Sequence, residues 1–178
     1  MNSEINNNIK LITLIGMMGS GKTSCGIILA KKLKVSFIDI DSIIELEEKF
    51  KINKIFDHFG EKYFRSIEEK LTFLKINECL KLNIQAIISL GGGGFESKKT
   101  QKFLLNNSKV IWLDTDIKIL SKRVGNSFNR PMIKGSVETN LEMLLNKRIK
   151  NYQKSHLKID TSNLSINNIC DKIIKGIS

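Results

Sequence analysis

Proline is almost missing from this 178-residue chain: Pro131 is the only one. With aromatic residues at 7%, that excludes collagen-like and low-complexity classes. Cysteine is scarce too. Cys25, Cys79 and Cys170 are an odd number, far apart in sequence and without a C-x-x-C pair. This excludes a disulfide framework and fits a reducing compartment. Cys25 and Cys79 fall inside helical patterns and read as packing residues. The two histidines, His58 and His156, have no metal-ligand spacing, and no His/Cys cluster is present. No apolar run is long enough to span a membrane, and the opening MNSEINNNIK has no apolar h-region. The expectation is a soluble, cytoplasmic protein with no membrane partner.

What is present is ordinary globular composition, 41% apolar and 26% charged, in a chain long enough to bury a core as one domain, residues 1–178. The net charge of +11 could serve nucleic acid or anionic small molecules. Its lysines, however, are dispersed among Asn and Ile rather than gathered into a stripe. They read as compositional drift, and no nucleic-acid partner is expected.

The chain is organised around residues 11–23, LITLIGMMGSGKT. A short apolar run enters a glycine-rich turn ending in Lys22-Thr23, and Gly16, four residues, Gly21-Lys22-Thr23 is a complete P-loop. Its glycines, Gly16, Gly19 and Gly21, let backbone N–H groups point into a concavity at the start of the next helix, where unpaired donors and the helix dipole favour an anion. Lys22 is placed for the outer phosphates and the Thr23 hydroxyl for a Mg²⁺ position. A chance glycine turn is the alternative, and the apolar run before it with the helical pattern after it weigh against that.

Beyond the loop, helical patterns at 21–33, 42–50, 52–59, 61–82, 98–105, 116–124, 138–155 and from 166 alternate with strand-like runs at 35–38, 84–90, 109–113 and 157–160. Ile27, Ile28 and Ala30 are expected inward on the first helix, and Phe64, Ile67, Leu71 and Leu74 on the long one. With the run at 11–15 this predicts a doubly wound α/β fold, a five-stranded parallel sheet flanked by helices. In such sheets ligands bind beyond the carboxyl ends of the strands. The chemically loaded residues do follow strands one, two and three.

Asp39-Ile40-Asp41 leaves the second strand. In an extended segment both carboxylates face one cleft; alternatively Asp41 caps the helix that follows. Arg65 and Glu68 are three apart on a helix and can pair, which alone would be a solvated ion pair. Gly91 to Gly94 directly follow a strand and allow close approach of a ligand. Residues 125–137 have no periodicity and read as a lid loop, with Arg130 inside it and Arg123 just before it. A lid arginine can deliver positive charge to a moving phosphoryl group. Arg148 lies on the inward stripe of its helix with Leu141 and Leu144, so it needs an anionic partner.

Taken in order, these residues resemble the shikimate kinase family: GMMGSGKT (16–23), FIDID (37–41), FGEKYFRSIEE (59–69), LGGG (90–93), Arg123 ahead of Arg130-Pro131, and Lys147-Arg148 with Tyr152 beyond. The resemblance runs from about Leu11 to Ile174. It implies a P-loop NTPase of the nucleoside-monophosphate-kinase-like kind with a short lid, transferring the ATP γ-phosphoryl group to the 3-hydroxyl of shikimate, a step towards chorismate. It further implies nucleotide contacts from Gly19, Ser20, Gly21, Lys22, Thr23, Ser24 and Arg123, and Mg²⁺ held by Thr23 and Asp39. Lys22, Asp41 and Arg130 would be catalytic. Asp41, Arg65, Glu68, Gly91, Gly92, Gly93, Arg130 and Arg148 would bind shikimate. The chain is expected to act as a monomer on its small-molecule substrate. Two departures stand out: Gly94 replaces the family's small apolar residue, which implies only altered flexibility, and Asp160-Thr161-Ser162-Asn163 lacks the basic residues the family often has beside adenine.

Overall fold

A computed structural model describes residues 10–125 and 137–177. The elements run β1 (Leu11–Ile15), α1 (Lys22–Leu33), β2 (Ser36–Asp39), α2 (Ile40–Glu48), α3 (Ile52–Lys81), β3 (Ala86–Ser89), α4 (Lys98–Asn107), β4 (Lys109–Asp114), α5 (Ile117–Gly125), α6 (Val137–Tyr152), β5 (Leu157–Asp160) and α7 (Ile166–Ile177). The strands form one sheet in the order β2-β3-β1-β4-β5, every pairing parallel. The expected five-stranded parallel sheet is what forms. β1 lies between β3 and β4, so the chain's direction of travel across the sheet reverses at its carboxyl end, which opens a crevice there.

Alternation along the strands builds two cores. Leu11, Ile15, Ile88, Val110 and Trp112 face one side with Ile44, Ile55, Phe64 and Ile76 of the helices. Ile12, Leu14, Ile87, Ile111 and Leu113 face the other with Cys25 and Leu29 of α1 and Ile169 and Ile173 of α7. Being buried on both faces is what makes these strands continuous apolar runs.

Four local readings change. Ile27 is 52% exposed, because α1 packs on its Cys25, Gly26, Leu29 and Ala30 face, with Gly26 against the Phe37 ring. Leu74 is also exposed, while Thr72 and Ile76 turn inward. The third strand covers four residues, not seven, since Ile84 still donates its N–H to Cys79 of the preceding helix. The helical patterns at 52–59 and 61–82 do join into α3, across a kink at Gly60 (φ 78°, ψ 172°), a backbone state that favours glycine. Among the described residues no helix is long and apolar enough to cross a membrane.

Candidate active site

The P-loop closes between β1 and α1. Gly21 takes a left-handed φ of 87° as the residue preceding α1, and no side chain among the described residues caps the first amides of that helix, which leaves them for an anion. Lys22 folds across the loop, its Nζ donating to the carbonyls of Gly16 and Met17, both at 2.9 Å. The Ser20 hydroxyl is buried and without a partner among the described residues. A buried orphan hydroxyl on a residue that lines the loop's hollow suits a phosphate oxygen. Gly19, Gly21, Thr23 and Ser24 line the same hollow, and Arg123 reaches it from α5, donating Nη1 to the Gly19 carbonyl at 3.1 Å.

Asp39 and Asp41 stand differently from either sequence expectation. The strand ends at Asp39, so Asp41 is already in the first turn of α2 and the two are not on one extended segment. The cap is Asp39, whose Oδ1 accepts from the Ser42 N–H at 3.2 Å. Its Oδ2 accepts from the Thr23 hydroxyl at 2.8 Å, which draws the end of β2 to the phosphate cradle. This hydroxyl and carboxylate are hard oxygen donors, a set that suits Mg²⁺ shared with phosphates. Asp41 lines both the cradle and a second cavity beside it.

That second cavity holds about 470 Å³ between α2, α3 and the glycine run, and is lined by Arg65, Glu68, Gly91, Gly92, Gly93 and Arg148 among others. Arg65 Nη1 donates to Glu68 Oε2 at 2.6 Å, while its Nε and Nη2 lie 3.4 Å from exposed Glu61. Glu68 is 2% exposed and its Oε1 has no partner among the described residues. Burial pushes its carboxyl up to about 7, against the pull of Arg65. A Cβ at Gly91 would collide with Glu68 Oε1 and come within 2.8 Å of Asp41 Oδ1, so the glycine is what lets the two carboxyls converge. Gly93 likewise leaves room for the Arg65 guanidinium. Gly94 is more than a flexible extra: a Cβ there would lie 2.8 Å from Leu90 Cγ and 2.9 Å from Glu68 Oε1.

Arg148 is inward, as its position on the stripe predicts, and 2% exposed. Its partner was not foreseen: Nε donates to Glu96 Oε1 at 3.1 Å. One turn on, the buried Tyr152 donates its hydroxyl to the Gly92 carbonyl and packs on Trp112. At the nucleotide end Leu164 and Ile166 wall the cradle, beyond the polar 160–163 stretch. The apolar pair following four polar residues was the available signal for them. Arg130 and residues 126–136 of the expected lid lie outside the described residues.

A phosphate cradle on a parallel sheet, sharing a wall with a cavity that holds two arginines, defines a P-loop kinase of small molecules. The family model described as shikimate kinase matches residues 18–178. The shikimate kinase of Staphylococcus epidermidis is 40% identical over 163 residues, which cover 91% of this chain and 92% of that protein. That of Staphylococcus aureus is 39% identical over 174 residues, 97% of each. A solved structure, the shikimate kinase from Acinetobacter baumannii in complex with shikimate, superposes with a TM-score of 0.87 at 30% identity, covering 97% of this chain and 95% of that one. The chain belongs to the shikimate kinase family.

Proposed function

We propose that this protein transfers the γ-phosphoryl group of ATP to the 3-hydroxyl of shikimate. The observation that carries the reading is Asp41, common to the phosphate cradle and the arginine-lined cavity. A group there can touch both the acceptor hydroxyl and the space the phosphoryl crosses. Arg65 and Arg148 take the shikimate carboxylate, with Glu68 holding Arg65. Gly91, Gly92 and Gly93 let the ring lie against backbone. Asp41 accepts the proton of the attacking hydroxyl as its oxygen bonds to phosphorus and the bridging bond to ADP breaks. The amides from Gly19 to Ser24 hold the phosphates, Lys22 and Arg130 offset the charge on the moving phosphoryl group, and Arg123 packs on the adenine. Thr23 and Asp39 would hold Mg²⁺, which supplies charge neutralisation between the phosphates. The described residues of one chain line both cavities, which supports action as a monomer, and three unbridged cysteines support a cytoplasmic site.

The test is ADP release from Mg-ATP with shikimate, gluconate, a nucleoside monophosphate or no acceptor. Release that needs shikimate is expected. Equal release without it, or with gluconate only, overturns the acceptor assignment.

A further inference from the structure

The cavity's two arginines come from different elements, yet each is backed by a carboxylate that is itself no more than about a fifth exposed. For Arg65 that carboxylate is Glu68, three residues away on the same helix. For Arg148 it is Glu96, 52 residues away in the turn that follows the glycine run. A buried guanidinium needs such a partner, since burying a charge without one is strongly unfavourable. The geometry of the contact matters more than its presence. Glu96 takes Nε, on the inner edge of the guanidinium fork, and so sets the plane of the group. Nη1 is then left buried, with no partner among the described residues, 3.3 Å from where a Cβ on Gly92 would stand. A donor fixed in this way is oriented for an incoming acceptor.

Glu96 is itself rigidly held. Its N–H donates to the Gly93 carbonyl at 3.1 Å, and its neighbour Phe95 is fully buried. From α4, Gln101 Nε2 donates to the Phe95 carbonyl at 2.9 Å. Tyr152 closes the frame by bonding the Gly92 carbonyl from the same helix that carries Arg148. Glycine run, turn and α6 thus form one unit with the Arg148 fork at its centre.

We infer that Glu96 is a positioning residue for acceptor binding, holding Arg148 through Nε so that Nη1 faces the acceptor carboxylate. This rests on the reading of shikimate as the acceptor. Glu96 acts through Arg148 and does not touch the phosphoryl path. Its loss therefore weakens acceptor binding without altering nucleotide binding.

The experiment is steady-state kinetics on the full chain with Glu96→Ala and Glu96→Gln. Loss of one charge-assisted hydrogen bond predicts a shikimate KM about tenfold higher in Glu96→Ala, with kcat and the ATP KM within about twofold of the parent. Glu96→Gln keeps an acceptor at the same reach and should return the shikimate KM to within about threefold. An unchanged shikimate KM in Glu96→Ala overturns the inference. So does a parallel loss in the ATP KM, which a merely structural role would give, or an equal defect in both variants. If Glu96→Ala does not fold, Glu96→Asp replaces it: the shorter reach must raise the shikimate KM above that of Glu96→Gln, and equality of the two refutes the role. A parent protein that releases no ADP with shikimate overturns the functional reading instead, and is distinguished by being seen before any substitution.

Discussion

Glu68 gives a pH test of how the arginine-lined cavity is built. Its carboxyl is 2% exposed, with Oε2 on Arg65, Oε1 unpartnered among the described residues and Asp41 close by. Burial and Asp41 favour the neutral acid more than Arg65 favours the ion, so the group titrates at about 7 rather than its ordinary 4.5. The folded protein then keeps a proton through the interval in which the unfolded chain has already lost it. Stability from this source is fully present below the unfolded value and is lost as pH rises through 7. Between pH 5 and pH 8 the loss amounts to about 2 to 3 kcal/mol. His156 acts in the opposite sense. Burial lowers its basicity, so its contribution is lost as pH falls. The parent's net slope is therefore not diagnostic, and the difference from Glu68→Gln is. Glutamine is neutral at every pH and can still accept from Arg65, while His156 is unchanged. Urea unfolding at pH 5 and pH 8 should show the parent losing about 2 to 3 kcal/mol more than the variant across that interval. The same pH difference in both proteins would refute the argument that this carboxyl is held neutral by burial.

Arg148→Ala should raise the shikimate KM about 30- to 100-fold, the loss of hydrogen bonds to a charged group, with the ATP KM within about twofold. A raised ATP KM with an unchanged shikimate KM would reverse the assignment of that arginine. Gly91→Ala drives a methyl group between Glu68 and Asp41, so kcat/KM for shikimate should fall more than about tenfold while nucleotide affinity, read by calorimetry, is kept. Full shikimate turnover in this variant would mean the carboxyls can part without consequence. Asp39→Ala removes both the cap on α2 and the acceptor for Thr23. Expected are about 1 kcal/mol less stability by urea unfolding and a higher Mg²⁺ concentration for half-maximal ADP release; an unchanged Mg²⁺ requirement would exclude Asp39 from the metal site.

Legibility in the sequence followed the range of the interaction. The P-loop is a local arrangement, so its spacing was enough to locate the cradle and the helix behind it. Arg148 was legible for another reason: a charge on the inward stripe of an amphipathic helix announces a buried partner, though not which one. That partner, Glu96, lies in an aperiodic turn between a strand and a helix, where no pattern marks the inward side. Cys25 and Cys170 are the same case at longer range. They are 145 residues apart, yet α1 and α7 share a face of the sheet and bring the sulfurs to 3.7 Å, both thiols free. Asp39 and Asp41 failed differently. The chain patterns put the helix start at residue 42, and moving it to Ile40 exchanges the cap from one aspartate to the other. Helix ends are set by which side chain takes the first free amides, a contest that periodicity does not register.

The same contacts explain how two arginines can share the arginine-lined cavity. Arg65 is paired with buried Glu68 and with exposed, well-screened Glu61, and Arg148 with Glu96. Because burial pushes its carboxyl up to about 7, Glu68 is a weaker countercharge to Arg65 than an exposed carboxylate would be. On the proposed function, a carboxylate arriving from solution meets two guanidinium groups already oriented, Arg148 by Glu96 and Arg65 by Glu68. Gly91 and Gly94 are the structural condition for this, since a methyl group at either would press on the Glu68 carboxyl. The fourth glycine of the run belongs with the other three: it leaves room for the buried acid that holds Arg65.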